Sequence, residues 1–248
     1  YLTLQYCPAP LTGFKDLKKL EPAHYLFVDL KTRKIEKERY WKLDYSQKLD
    51  LSEDEWKKRI MEKLEECVKL RMISDVPLGA FLSGGIDSSA IVGLMSKLSD
   101  KPVKTFSIGF EEEKYNELPY ARMIAEKFKT DHTEFIVKPN AIEMLPMLVK
   151  QYEEPYADSS ALPTYYVSKM TRDYVTVALN GDGGDENFAG YGWYSVHKFS
   201  LWYEKLLLLH RTLVLPVSKF LAKKIKHQFF DRAYRFAKFI SNDYTRRY

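Results

Sequence analysis

Cysteine is nearly absent: Cys7 and Cys67 are the only two in 248 residues. That excludes a disulfide framework, and with no paired Cys/His spacing it excludes a zinc-finger type of site. A reducing, cytoplasmic setting is the expectation. Long apolar runs are missing as well. The richest stretch, Leu206 to Leu221, is broken by His210, Arg211, Pro216 and Lys219, so it is too short and too charged to cross a bilayer. No leading segment has the make-up of a signal peptide, and no internal repeat or low-complexity tract occurs. Two glycine fingerprints are also lacking. There is no Gly-x-x-x-x-Gly-Lys-Ser/Thr with its phosphate lysine, and no Gly-x-Gly-x-x-Gly dinucleotide turn. The chain opens on Tyr1 rather than Met, which reads as part of a longer polypeptide.

What is present suffices for a folded domain: hydrophobic residues are 45% and aromatics 15%, a composition that argues against disorder. Charge is unevenly spread. Residues 198–248 carry 12 Lys/Arg against 3 Asp/Glu, net +9, and the rest of the chain is net −4. A basic stretch can face nucleic acid, but no nucleic-acid motif accompanies it, so a solvated or partner-facing helical surface is expected instead.

Residues 1–45 read as an irregular lead-in punctuated by Pro8, Pro10, Gly13 and Pro22, with Tyr25 to Val28 as a hairpin strand. Ser52-Glu53-Asp54-Glu55 is a capping box that opens a helix to about Ile73, with Trp56, Ile60, Leu64, Cys67 and Val68 on its packing stripe. From Val76 strands and helices alternate. Strands are predicted at Val76–Leu82, Val103–Ile108, His132–Val137 and Tyr174–Leu179. Helices are predicted at Asp87–Leu98, Glu117–Phe128 (Tyr120, Ile124 and Phe128 inward), Ala141–Tyr152 and Leu162–Thr171. This alternation predicts an α/β fold with a doubly wound parallel sheet. Beyond Tyr191 the pattern is helical and basic to the end. The domain reading is a lead-in over 1–50, an α/β domain over 51–195, and a helical extension of it over 196–248.

Two turns carry chemistry. The first predicted strand ends in Phe81-Leu82-Ser83-Gly84-Gly85-Ile86-Asp87-Ser88 and turns into a helix. Glycines that let backbone N–H groups approach, followed by a helix N-terminus, suit a phosphate, and Asp87 puts a carboxylate beside it. The fourth predicted strand runs into Asn180-Gly181-Asp182-Gly183-Gly184-Asp185-Glu186. With the first and fourth strands as neighbours and the other two on the far side of the first, both turns flank the crevice where α/β sheets bind ligands. Asp87 and Asp185 together with phosphate oxygens would then suit Mg²⁺. Either turn alone could be a solvated loop. His132, with no nucleophile beside it, is expected to be structural.

Ser83-Gly84-Gly85-Ile86-Asp87-Ser88 resembles the PP-loop of ATP pyrophosphatases. Gly181-Asp182-Gly183-Gly184-Asp185-Glu186, with Phe188, Gly190 and Tyr191, resembles the second hallmark of the glutamine-hydrolysing asparagine synthetase family, in its synthetase domain. Tyr6 to Pro10, Phe14, Lys19-Leu20 and Tyr40-Trp41 are similar to the segment that joins the family's glutaminase and synthetase domains. The resemblance covers about residues 1 to 195 and implies the PP-loop ATPase type of sheet. It implies ATP along Phe81, Leu82, Ser83, Gly84, Gly85, Asp87 and Ser88, with Ile108 at the adenine and Asn180 and Gly181 against the nucleotide. It implies Mg²⁺ on Asp87 and Asp185, and Asp182 as the acidic residue linked to forming the acyl-adenylate and its attack by ammonia. Asp158 and Ser159 fall in a segment similar to one near the family's substrate pocket; the plainer reading of Asp158 is a helix cap.

The implied reaction is adenylation of the aspartate side chain with release of pyrophosphate, then displacement of AMP by ammonia drawn from glutamine. The implied partners are those small molecules and a glutaminase domain; no membrane or nucleic acid is expected, and a homodimer is left open. The chain departs from the family at three positions. Asn180 stands where Ser or Thr is common, Phe81 where Leu is common, and Asp182 where well-known members carry Glu. The family's N-terminal catalytic cysteine and its downstream Lys and Arg/Asp-rich segments have no match, so this chain alone is expected to be inactive. A ligase acting on a different carboxylate, or a silent nucleotide-binding domain, remain the alternatives.

Overall fold

Four parallel strands form the sheet that the alternating pattern predicts. They are β3 (Leu78–Phe81), β4 (Lys104–Phe110), β5 (Asp131–Val137) and β6 (Val177–Leu179), in the order β5-β4-β3-β6. The register pairs Phe81 with Phe106, Ala80 with Leu179, and Ile108 with Phe135. In this computed structural model residues 1–2, 4–110, 116–138, 140–203, 210–225 and 227–241 are described. They divide into two compact units, Tyr1–Gly181 and Asp182–Tyr248. The sequence reading draws its line at 195 instead, beyond the second acidic turn.

Within the first unit, helices cover both faces of the sheet. One face buries Ala80 and Leu82 against α1 (Glu53–Arg71), α2 (Ile86–Leu98) and α3 (Leu118–Phe128), through Val68, Val92, Met95, Ala121 and Ala125. The other buries Phe106, Phe135, Val137 and Val175, with Tyr166 and Met170 of α5 (Ala161–Thr171) packed on them. Phe106 and Phe135 lie parallel, ring centres 6.3 Å apart, with Tyr174 tilted against both. Strands buried on both faces read as near-continuous apolar runs, which is why the pattern located them.

The helix predictions hold with local exceptions. The Ser52–Glu55 capping box is formed. Trp56 and Tyr120, expected to point inward, are exposed at 40% and 62%. Trp56 stands on the first turn of α1, whereas the packing on α2 comes from Leu64 and Val68 further along. Ala121 is the fully buried residue there, and Gly84 of the turn after β3 lies against the backbone of Tyr120 and Ala121. Cys67 is half-buried rather than core, and both cysteines are free thiols. The last strand is shorter than predicted. Tyr174 to Thr176 form a turn, and Tyr174 and Val175 both donate to the Thr171 carbonyl.

The lead-in holds the hairpin β1 (His24–Val28) and β2 (Ile35–Arg39). It is tied to the loop after α4 (Ala141–Tyr152). Lys19 donates to the Cys7 carbonyl (2.7 Å) and pairs with Glu154, and Ala157 N–H donates to the Gln5 carbonyl (2.9 Å). His132 Nδ1 lies 2.9 Å from the Thr105 hydroxyl, which also meets Thr130 at 2.8 Å.

The second unit is helical: α6 (Gly184–Phe188), α7 (Gly192–Tyr203), a π-helical turn (His210–Val214), α8 (Leu215–Lys224) and α9 (Gln228–Ser241). His210 is buried, its Nε2 2.8 Å from the Ala237 carbonyl and its ring edge-on to Tyr203. Nε2 is therefore the protonated nitrogen. Lys219, Lys223, Lys224, Arg232, Arg235 and Lys238 are exposed, so the basic character of α8 and α9 faces outward. The helical prediction also spans 204–209 and 242–248, which lie outside the described residues. No helix among the described residues is long and apolar enough to cross a membrane.

Candidate functional site

The first turn is built by packing rather than by capping. At the end of β3, Leu82 N–H donates to the Phe106 carbonyl (2.8 Å), and the Leu82 carbonyl accepts from the buried Ser107 hydroxyl. The chain then reverses through Gly84, whose φ is +84°. A Cβ there would lie 2.5 Å from Tyr120 Cβ and 2.6 Å from Ala121 N, so both conformation and space require glycine. Ser83 N–H donates to Ser88 Oγ (3.3 Å), Gly85 N–H donates to Ser83 Oγ (3.2 Å), and the Ser88 hydroxyl donates to the Gly85 carbonyl (3.2 Å). Ser88, nominated as a nucleotide contact, is thus a nearly buried staple inside the loop.

Helix α2 starts at Ile86 after Gly85, and no side chain caps it. Its first N–H groups and the positive end of its dipole are left for an anion. Asp87, in that first turn, has no hydrogen-bond or ion-pair partner among the described residues.

The nominated nucleotide residues of the first unit come together. Phe81, Leu82, Ser83 and Ile108 share a cavity of about 160 Å³ at the carboxyl ends of β3 and β4 with Phe106, Ser107, Glu117, Leu118, Ala121 and Val167. Strands β3 and β6 are neighbours, so the chain leaving β6 through Asn180 and Gly181 arrives beside the first turn. Contact is direct: a Cβ at Gly181 would lie 2.7 Å from Ser88 N, 2.8 Å from Asp87 C and 2.9 Å from Asp87 Cβ.

Asp158 and Ser159 lie elsewhere in the first unit. They line a cavity of about 630 Å³ with Leu145, Leu148, Val149, Tyr152, Glu153, Glu154 and Tyr156, and among the described residues no Lys or Arg is in its walls. Asp158 also takes Ser160 N–H (2.8 Å), but Ser160 is the N-cap of α5 and no side chain caps that helix, so the plainer reading of Asp158 as its cap does not hold. Helix α5 links the two cavities: Ala161 lines the large one and Val167 the small one, about 9 Å further along at 1.5 Å per residue.

Asp182 and Asp185 begin the second unit. Asp185 sits in the first turn of α6, and Tyr191 returns to donate to Glu186 Oε1 (2.6 Å). That carboxylate pushes the Tyr191 phenol up to about 12, and its own pKa is lowered in return. No group of three or more His, Cys, Asp or Glu side chains among the described residues forms a metal cage. Mg²⁺ is usually held by one or two carboxylates completed by phosphate oxygens, and Asp87 and Asp185 each carry a carboxylate of that type.

Sequence reasoning missed Ser107 and Glu117. Ser107 carried a signal, a small hydroxyl in the buried run Thr105-Phe106-Ser107. Glu117 carried none beyond its place at a helix start.

A doubly wound parallel sheet with a glycine-built, uncapped helix start at its carboxyl edge defines an α/β protein. The model of the asparagine synthase family matches residues 59–248. The chain is 45% identical over 198 residues to a putative glutamine-hydrolysing asparagine synthetase 2 of Methanocaldococcus jannaschii, covering 77% of this chain and 37% of that one. It is 34% identical over 223 residues to glutamine-hydrolysing asparagine synthetase 1 of Bacillus subtilis, covering 87% and 35%. A third relative is the amidase chyE of Penicillium rubens, 30% identical over 199 residues, covering 73% and 30%. The chain belongs to the asparagine synthase family, and it spans little more than a third of the length of the first two relatives.

Proposed function

We propose that this chain is the ATP-using part of an amide-forming ligase, which adenylates a carboxylate and passes it to ammonia. The observation that carries the reading is the seating of Gly181 on Asp87 and Ser88, which sets the chain leaving β6 against the first turn at the carboxyl edge of the sheet. In this reading the cavity under Phe81, Leu82, Ser83 and Ile108 receives the adenine end of ATP. Gly84, Gly85 and the open start of α2 receive phosphates, and Asn180 and Gly181 close on the nucleotide. Asp87 and Asp185 hold Mg²⁺, which when bound neutralises charge on the departing pyrophosphate.

The substrate carboxylate attacks the α-phosphorus and pyrophosphate leaves, giving an acyl-adenylate. Ammonia adds to the acyl carbon, AMP leaves with the bonding pair, and Asp182 takes the proton that nitrogen sheds. In this reading the uncapped N–H groups at the start of α2 face charge as it develops, where such donors lower a barrier most. Ammonia would come from glutamine through a glutaminase domain, as the names of the relatives suggest. The cytoplasm is the proposed location, and the lysines and arginines of α8 and α9 are read as a solvated or protein-facing surface.

Aspartate is the first candidate substrate. A second reading, a different carboxylate, is favoured by the walls around Asp158 and Ser159. Apart from Glu153, Glu154 and Asp158 they are largely apolar and aromatic, and among the described residues they offer no cation to a short dianion. ATP–pyrophosphate exchange by the intact protein, driven in turn by aspartate and by larger apolar carboxylic acids, decides between them. Exchange with aspartate alone supports the first reading, exchange with an apolar acid the second, and none with any carboxylate refutes both.

A further inference from the structure

We propose that Gly190 is a positioning residue that sets the Asp185 carboxylate for the metal; this rests on the reading of Asp185 as a Mg²⁺ ligand. Helix α6 ends at Phe188, and Ala189 takes a left-handed turn at φ +56°. Gly190 N–H then donates to the Asp185 carbonyl (3.0 Å), which folds the chain back over that residue. A Cβ at Gly190 would lie 1.8 Å from Asp185 Oδ1, 2.9 Å from Cγ and 3.1 Å from Cα. The φ of Gly190 is outside the left-handed region, so the backbone itself would accept alanine; only the space refuses it.

Neither side of the contact can give way cheaply by moving backbone. The Gly190 N–H bond fixes the return from one side, and the Tyr191 hydroxyl on Glu186 fixes it from the other. Any side chain at 190 must therefore rotate the Asp185 carboxylate off its place. The device is specific to this position, since two residues on a Cβ at Gly192 would meet nothing within 4 Å.

The test compares Gly190→Ala, Gly192→Ala and Asp185→Asn in the intact protein. Mn²⁺ binding is measured by electron paramagnetic resonance in the presence of α,β-methylene ATP, which cannot release pyrophosphate. Gly190→Ala is expected to weaken Mn²⁺ binding at least tenfold, with turnover in ATP–pyrophosphate exchange recovered by added Mn²⁺ and thermal melting unchanged. Gly192→Ala is expected to behave as wild type. Wild-type Mn²⁺ affinity in Gly190→Ala alongside loss in Asp185→Asn overturns the inference and leaves the metal reading standing. A loss of turnover in Gly190→Ala that metal does not relieve also overturns it. Undiminished Mn²⁺ binding by Asp185→Asn removes the metal reading, and the inference with it.

Discussion

Replacing Gly181 by alanine isolates the contact on which the functional reading turns. The φ of Gly181 lies outside the left-handed region, so the substitution meets no conformational penalty and acts only through space. The new methyl would lie 2.7 to 2.9 Å from Ser88 N, Asp87 C and Asp87 Cβ, where ordinary contacts begin near 3.4 Å. The neighbours are backbone and Cβ atoms with no flexible end to swing aside. One turn must therefore retreat from the other by roughly half an ångström or more. Overpacking of that kind costs about 1–3 kcal/mol of stability. The rate should suffer more, because a reacting group displaced by about 1 Å can lose on the order of 10²-fold. Gly181→Ala is thus expected to lower carboxylate-dependent ATP–pyrophosphate exchange by about 10- to 100-fold, in a protein that still melts cooperatively. Exchange within twofold of wild type would show that the seam between the turns does not position the chemistry.

Three further outcomes follow from the geometry. Ser107→Ala removes the buried donor to the Leu82 carbonyl and should cost about 1–3 kcal/mol, read as a lower midpoint in denaturant; Ser107→Thr tests whether a hydroxyl suffices. Ala189→Gly relieves a left-handed alanine and should raise stability by up to about 1 kcal/mol, checked by thermal melting. Stability should also fall on acidification. Burial holds the His132 imidazole below its usual value, so below about pH 6.5 the unfolded chain gains a proton that the folded one resists. The Arg122 pair, both N–O distances 2.7 Å, lowers Glu134, and that contribution is lost as pH falls below the ordinary carboxylate range. A His132→Gln variant whose stability shows the wild-type slope between pH 5.5 and 7 would refute the imidazole's share.

The sheet was legible because its strands are buried on both faces, and Val76–Leu82 and Val103–Ile108 read as apolar runs between turn residues. Strand order was a condition of the sequence reading rather than a deduction, with the first and fourth predicted strands as neighbours, and β3 does lie beside β6. Trp56 and Tyr120 misled because periodicity names a helix face without saying where along it a partner lies. The glycines of the first turn, Gly84 and Gly85, were read as freedom for phosphate-binding backbone, an account that the sequence offered for no other glycine. That account fits Gly84, with its positive φ, but not Gly181 or Gly190, where a side chain would strike an aspartate.

A sequence cannot tell these two uses of glycine apart, because each leaves the same letter. What separates them is a neighbour on another segment: Tyr120 and Ala121 for Gly84, Asp87 and Ser88 for Gly181, Asp185 for Gly190. The experimental signature differs accordingly. A d-alanine at Gly84, placed by chemical synthesis or semisynthesis, would accept the positive φ, because left-handed angles suit the d-configuration. Its methyl would also leave the side on which Tyr120 sits, so it should restore much of what l-alanine loses there. At Gly190 the backbone angle is already open to l-alanine, and the d-isomer should bring no such selective relief of conformational strain. Equal losses from the two isomers at Gly84 would mean that crowding, rather than backbone angle, dictates glycine in the first turn as well.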